Sequence, residues 1–174
     1  MSKGHFLIEI FPNWHPLIVH FPVALLITAA GLFVAAIVMK NRPLGSSLYR
    51  AACYNLWLGT IAAAVAVATG WQAHETVMHD EAGHAAIEIH MRWAFVTLAV
   101  SLLASLAAAY SYRNMKSSKL FALGLVLLSA SAVAVTGFLG GENVFRHGIG
   151  VIGMHDMHEH HHMGDTDHHD MDND

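Results

Sequence analysis

Four stretches of the chain are apolar at nearly every position: residues 17–39, 51–70, 91–110 and 120–139. Each is about 20 residues long, the length at which a helix crosses the hydrocarbon core of a bilayer. Only Arg92 puts a charge inside any of them. A helix of a soluble bundle needs a polar face, and these stretches have none, so a soluble four-helix bundle is the weaker reading. Short loops make successive helices antiparallel neighbours. The pattern therefore predicts an all-α membrane protein, a four-transmembrane-helix bundle running up-down-up-down over residues 1–152. A tail over residues 153–174 is predicted to be disordered.

Composition agrees. Of the 174 residues, 55% are hydrophobic and 13% charged, too oily for an ordinary soluble domain. No cleavable signal peptide is evident, because Glu9, Pro12 and Asn13 interrupt the stretch that would form its apolar core. The lone Cys53 excludes an intramolecular disulfide and reads as a small core residue. Ala62, Ala63, Ala64 and Ala66, with Ala104, Ser105, Ala107, Ala108 and Ala109, are small enough to let helices approach closely in lipid. No internal repeat with a useful signature is visible.

Charge sets the expected orientation. Lys40, Arg42, Arg50, Arg113, Lys116 and Lys119 flank the first and third loops, and no acidic residue lies there. By the positive-inside rule those loops face the cytoplasm and both termini the outer, periplasmic side. A multi-pass protein of a bacterial inner (plasma) membrane is the expected setting. Trp14, Trp71 and Trp93 read as interfacial anchors.

Histidine then changes the picture. There are 15, and this topology puts all of them on the outer side, none in a cytoplasmic loop. Neutral imidazole is a common metal and haem ligand. His15 and His20 flank the start of the first helix. Asn13 is placed to cap it, Pro16 sits in its first turn where no N–H is needed, and Pro22 is expected to kink it by leaving the carbonyl of Ile18 bare. Five residues turn a helix by about 500°, so His15 and His20 point to different faces. His90 opens the third helix and His147 follows the fourth. The first and third helices are diagonal in such a bundle, roughly 11–14 Å apart for neighbour spacings of about 8–10 Å. Two histidines facing across that diagonal can ligate a haem iron from both sides. His20 with His90 is the expected axial pair, with His15 and His147 as alternatives; hydrogen bonding of these rings to backbone at helix ends is the bland reading.

Two further histidine groups suggest metal. The middle loop carries His74, His79 and His84, with His84 and Glu88 at helical i,i+4 spacing. It lacks the H-E-x-x-H signature of a zinc protease. The tail interleaves His155, His158, His160, His161, His162, His168 and His169 with Met154, Met157 and carboxylates. That mixture suits copper, zinc or nickel, as a scavenger or buffer without fixed geometry. A purification tag is the alternative, though tags are usually plain histidine runs.

"WHPLIVHFPVALL", "TGW", "HMRWA" and "GGENVFRHGIGV" together resemble an uncharacterised bacterial membrane family, domain of unknown function 2231, over about residues 13–152. The family's His-Pro and His-Phe-Pro motifs match His15, Pro16, His20, Phe21 and Pro22. Its third-helix histidine matches His90, and its closing Gly-Gly and His-Gly match Gly140, Gly141, His147 and Gly148. Members stand beside or fused to Rieske and c-type cytochrome modules, which implies electron transfer, a b-type haem and a redox partner. Glu142 and Asn143 replace more apolar residues of the family pattern, and the tail lies outside it.

Three functions follow as expectations. The leading one is a histidine-ligated haem or metal site at the outer face, serving electron transfer. The others are a transition-metal handling protein and a membrane anchor for a redox partner. A channel is less favoured, since no charge lies mid-membrane. No nucleophile–base constellation, phosphate loop or nucleic-acid patch is present, so hydrolytic chemistry and a nucleic-acid partner are not expected.

Overall fold

In a bilayer the backbone must satisfy its own hydrogen bonds, and a run of apolar residues does so as a helix. The computed structural model describes residues 14–76, 81–113 and 119–150. They form α1 (His15–Ile18), α2 (His20–Val38), α3 (Pro43–Thr76), α4 (Glu81–Arg113) and α5 (Lys119–His147). Four segments are long and apolar enough to cross a membrane: His15–Val38, Pro43–His74, Gly83–Tyr112 and Lys119–His147. The chain is a four-helix, multi-pass membrane protein, as its apolar pattern predicts.

The helices are longer than the apolar stretches. α3 continues past Gly70 to Thr76, and α4 begins at Glu81. What reads as a middle loop is therefore mostly two helical arms, and His90 lies well inside α4 rather than opening it. Hydropathy marks where lipid ends, whereas Ala, Glu and Met continue a helix into water. At the start of α1 the cap position is Trp14, whose side chain makes no capping bond; Asn13 lies outside the described residues. The helix is interrupted at Val19. Pro22 has no N–H for the Ile18 carbonyl, which accounts for the break.

α2 packs on α3, α3 on α4, α4 on α5, and α5 back on α2. Contacts between early residues of one helix and late residues of the next make the neighbours antiparallel. His15 meets Ala66, and His90 meets Thr136. The closest packing uses small side chains: Ala52, Ala63, Ala66, Ala104, Ala108 and Ala122 are buried, with Leu26, Phe33, Leu56 and Val126 filling the space between them. Cys53 is buried among them. Large apolar side chains such as Val38, Leu120, Phe121 and Phe145 face outward, where lipid takes the place of a partner.

The bundle is built twice. The buried residues of α2 are Pro22, Leu26, Ala29, Ala30, Phe33 and Ala36. Those in the membrane part of α4 are Thr97, Ser101, Ala104, Ser105, Ala108 and Ser111. Each is 75 residues after its counterpart (97 − 22 through to 111 − 36). Likewise Ala52, Leu56, Gly59 and Ala63 of α3 correspond to Ala122, Val126, Ser129 and Val133 of α5, 70 residues on (122 − 52 through to 133 − 63). The first hairpin and the second thus bury the same register, as in transporters whose halves are related by an axis along the membrane normal. The amino-acid sequence shows no signature of this doubling. Only Ala29 and Ala104 keep the same residue among the α2 and α4 pairs, so side-chain identity no longer carries the signal.

Two polar features sit on the frame. Between α3 and α4, the Thr60 hydroxyl lies 2.9 Å from the Leu56 carbonyl and 2.9 Å from the Ser105 hydroxyl, while the Trp57 indole donates to the Ser105 carbonyl at 3.3 Å. Such bonds hold helices together in lipid. At the end of the bundle bearing Lys40, Arg42 and Arg50, Tyr49 stacks on Tyr112, with the Lys119 ammonium 5.1 Å from the Tyr49 ring centroid. Aromatic and basic residues of this kind mark a membrane–water boundary.

Candidate functional site

At the opposite end, α1 and α4 begin while α3 and α5 finish. His15 and His90 meet there across the bundle diagonal, with ring centroids 6.3 Å apart and planes 80° to one another. Both rings are half-buried. Residue positions 15 and 90 are again 75 apart (90 − 15), so the two histidines are equivalent in the doubled frame. No other described histidine has a histidine at its equivalent position: His20 corresponds to Phe95, and His74 to Val144.

Each ring is held in the same way. His15 Nδ1 donates to the Ala66 carbonyl at 3.0 Å, with the Thr69 hydroxyl 3.3 Å away. His90 Nδ1 donates to the Thr136 carbonyl at 3.1 Å. A carbonyl only accepts, so Nδ1 carries the proton and the lone pair of the neutral ring is on Nε2. A backbone carbonyl holding Nδ1 is a common way to orient a ligating histidine.

Glycine makes room for both rings. Within a helix the carbonyl of residue i points toward residue i+4. A ring bonded to that carbonyl therefore lies beside residue i+4, which is Gly70 for Ala66 and Gly140 for Thr136. A Cβ at Gly70 would stand 2.9 Å from His15 Cε1, and one at Gly140 3.1 Å from His90 Cε1. Ala66 with Gly70 and Thr136 with Gly140 are thus two copies of one ring cradle. Behind the second, Thr136 gives its hydroxyl hydrogen to the Ala132 carbonyl, and Thr97 donates to Thr136 Oγ1 at 2.8 Å.

The separation bears on what the pair can hold. With metal–nitrogen distances of about 2.0–2.1 Å, two imidazole centroids lie about 6.3 Å apart when trans on one ion and about 5 Å apart at the tetrahedral angle. The 6.3 Å between the His15 and His90 rings is close to the first of these distances. Two imidazole nitrogens are the donor set that a haem iron or a two-coordinate ion would need. Among the described residues, no three His, Cys, Asp or Glu side chains form a ready metal-holding group.

The structure redistributes the remaining expected ligands. His20 is exposed; His15, not His20, stands beside His90. His15 and His20 do face different ways, as their spacing requires. His147 ends α5 and is exposed. His74 and His84 come together from the two arms, with ring centroids 5.6 Å apart. His84 Nε2 lies 3.7 Å from Glu88 Oε1, and Arg92 pairs with Glu88 Oε2 at 3.2 Å. His79, Met154, Met157, His155, His158, His160, His161, His162, His168 and His169 lie outside the described residues. Sequence reasoning missed Thr97 and Thr136, named Ala66 only as a packing residue, and quoted Thr69 only inside a motif. It named Gly70 and Gly140 only inside motifs, without their role. The spacing of each glycine from its carbonyl was readable, but the carbonyls that receive the rings were not.

Residues 12–153 match the family described as "Predicted membrane protein (DUF2231)". The chain belongs to this family. The match spans both hairpins and all five described helices of this DUF2231 protein, in agreement with the resemblance carried by its histidine and glycine motifs. No curated protein and no solved structure matches it.

Proposed function

We propose that this DUF2231 protein is a membrane redox subunit in which His15 and His90 together hold one haem iron or one transition-metal ion. The observation that carries the reading is the convergence of two equivalent imidazoles, one from each hairpin, with ring centroids 6.3 Å apart and each anchored through Nδ1. Bound there, the group supplies one-electron transfer. The protein's own part is to orient the two Nε2 lone pairs, keep the rings half-buried and surround them with helices whose small residues pack tightly. The basic residues flank the other end of the bundle, so the proposed orientation puts the pair at the outer face of a bacterial inner membrane. A soluble redox partner of the Rieske or c-type cytochrome kind would then meet it on that face.

The test is an optical spectrum and metal analysis of detergent-purified protein. Wild type is expected to carry haem absorbance or about one metal equivalent that His15→Ala and His90→Ala each abolish. His20→Ala, at an exposed position, should leave it in place. A cofactor that survives both His15→Ala and His90→Ala, or wild type with neither haem nor metal, overturns the reading.

A further inference from the structure

The end of α3 and the start of α4 carry a second pair of imidazoles. His74 lies one turn past Gly70 on α3, and His84 lies before His90 on α4, so the two helices present them to each other outside the His15–His90 level. Their ring centroids are 5.6 Å apart with planes tilted by 49°. That falls between the tetrahedral separation of about 5 Å and the trans separation of about 6.3 Å for two imidazoles on one ion. A carboxylate is at hand: Glu88 Oε1 lies 3.7 Å from His84 Nε2, near the roughly 3.3 Å between two ligands of one tetrahedral ion. Arg92 holds the other carboxylate oxygen and so keeps the side chain turned toward His84.

We propose that His74 and His84 form a clamp for a divalent transition cation of the zinc class, bridging α3 and α4, with Glu88 and water completing its coordination. The side chains are exposed or half-exposed, so small rotamer shifts suffice to close the set around the ion. The site differs from the His15–His90 pair in kind. Its rings are closer together, 5.6 against 6.3 Å, and stand beside a carboxylate, which suits zinc. Binding would tie the two arms together, and with them the two hairpins.

The clamp makes the two histidines depend on each other, and that is what the experiment reads. Full-length protein in detergent is treated with diethyl pyrocarbonate with and without Zn²⁺, and modification is measured peptide by peptide. Zinc is expected to protect His74 and His84. His74→Gln should abolish zinc protection of His84, His84→Gln that of His74, and Glu88→Gln should weaken both. Protection of either histidine that survives loss of the other, or zinc protection confined to the tail histidines, overturns the proposal. His15 and His90 are read from their own peptides in the same samples, so failure of the clamp is distinguishable from failure of the inner site.

Discussion

At the scale of single residues, two glycines decide whether two rings fit. A methyl group at Gly70 or Gly140 meets the imidazole edge at 2.9 or 3.1 Å. Neither position strains a helix backbone, and alanine favours helix over glycine by about 1 kcal/mol. Gly70→Ala and Gly140→Ala should therefore keep the helical circular dichroism of wild type while displacing one ring and lowering cofactor content. A side chain that fails to disturb either ring would leave the absorbance unchanged. The glycines were visible in the chain as written. Their purpose was not, because it depends on which ring a neighbouring helix brings to the carbonyl four residues earlier. The same holds for His15 and His20. Their separation in rotation is a property of any helix, but which of them faces inward depends on where α3 lies.

At the scale of elements, the long helices are governed by two signals. Apolar length sets the part in lipid, and helix propensity carries α3 and α4 beyond it into the histidine-bearing arms. Reading the first signal alone turns the arms into a loop. Between helices, the polar seam of Thr60 and Ser105 was unreadable, since each hydroxyl by itself is only a neutral helix residue. The seam has a measurable consequence. In a double-mutant cycle of Thr60→Val and Ser105→Ala, followed by unfolding in mixed micelles, the coupling should be favourable and about 0.6 kcal/mol, the average for hydrogen bonds between membrane helices. Zero coupling would mean that the two hydroxyls each serve only their own helix.

At the scale of the whole molecule, orientation and duplication meet. If the basic end faces the cytoplasm, Ser47→Cys should react with a membrane-impermeant maleimide only after the cells are opened. Gly150→Cys should react from outside in intact spheroplasts, and buried Cys53 provides a quiet background. The reverse pattern would place the histidine pair on the inner face.

The amino-acid sequence by itself determined the four crossings, their alternation and the concentration of histidine at one end. These follow from local averages, namely transfer of apolar side chains into lipid and the distribution of charge between loops. Only the tertiary structure decided that His15 rather than His20 meets His90, that a carbonyl and a glycine cradle each ring, and that the second hairpin repeats the buried register of the first. Those facts depend on the rotation of each helix about its axis. Rotation is set by small side chains packing against one another, and a bilayer as apolar as those side chains exerts little pull of its own. Leu26 and Ser101 can therefore occupy equivalent places without resembling each other.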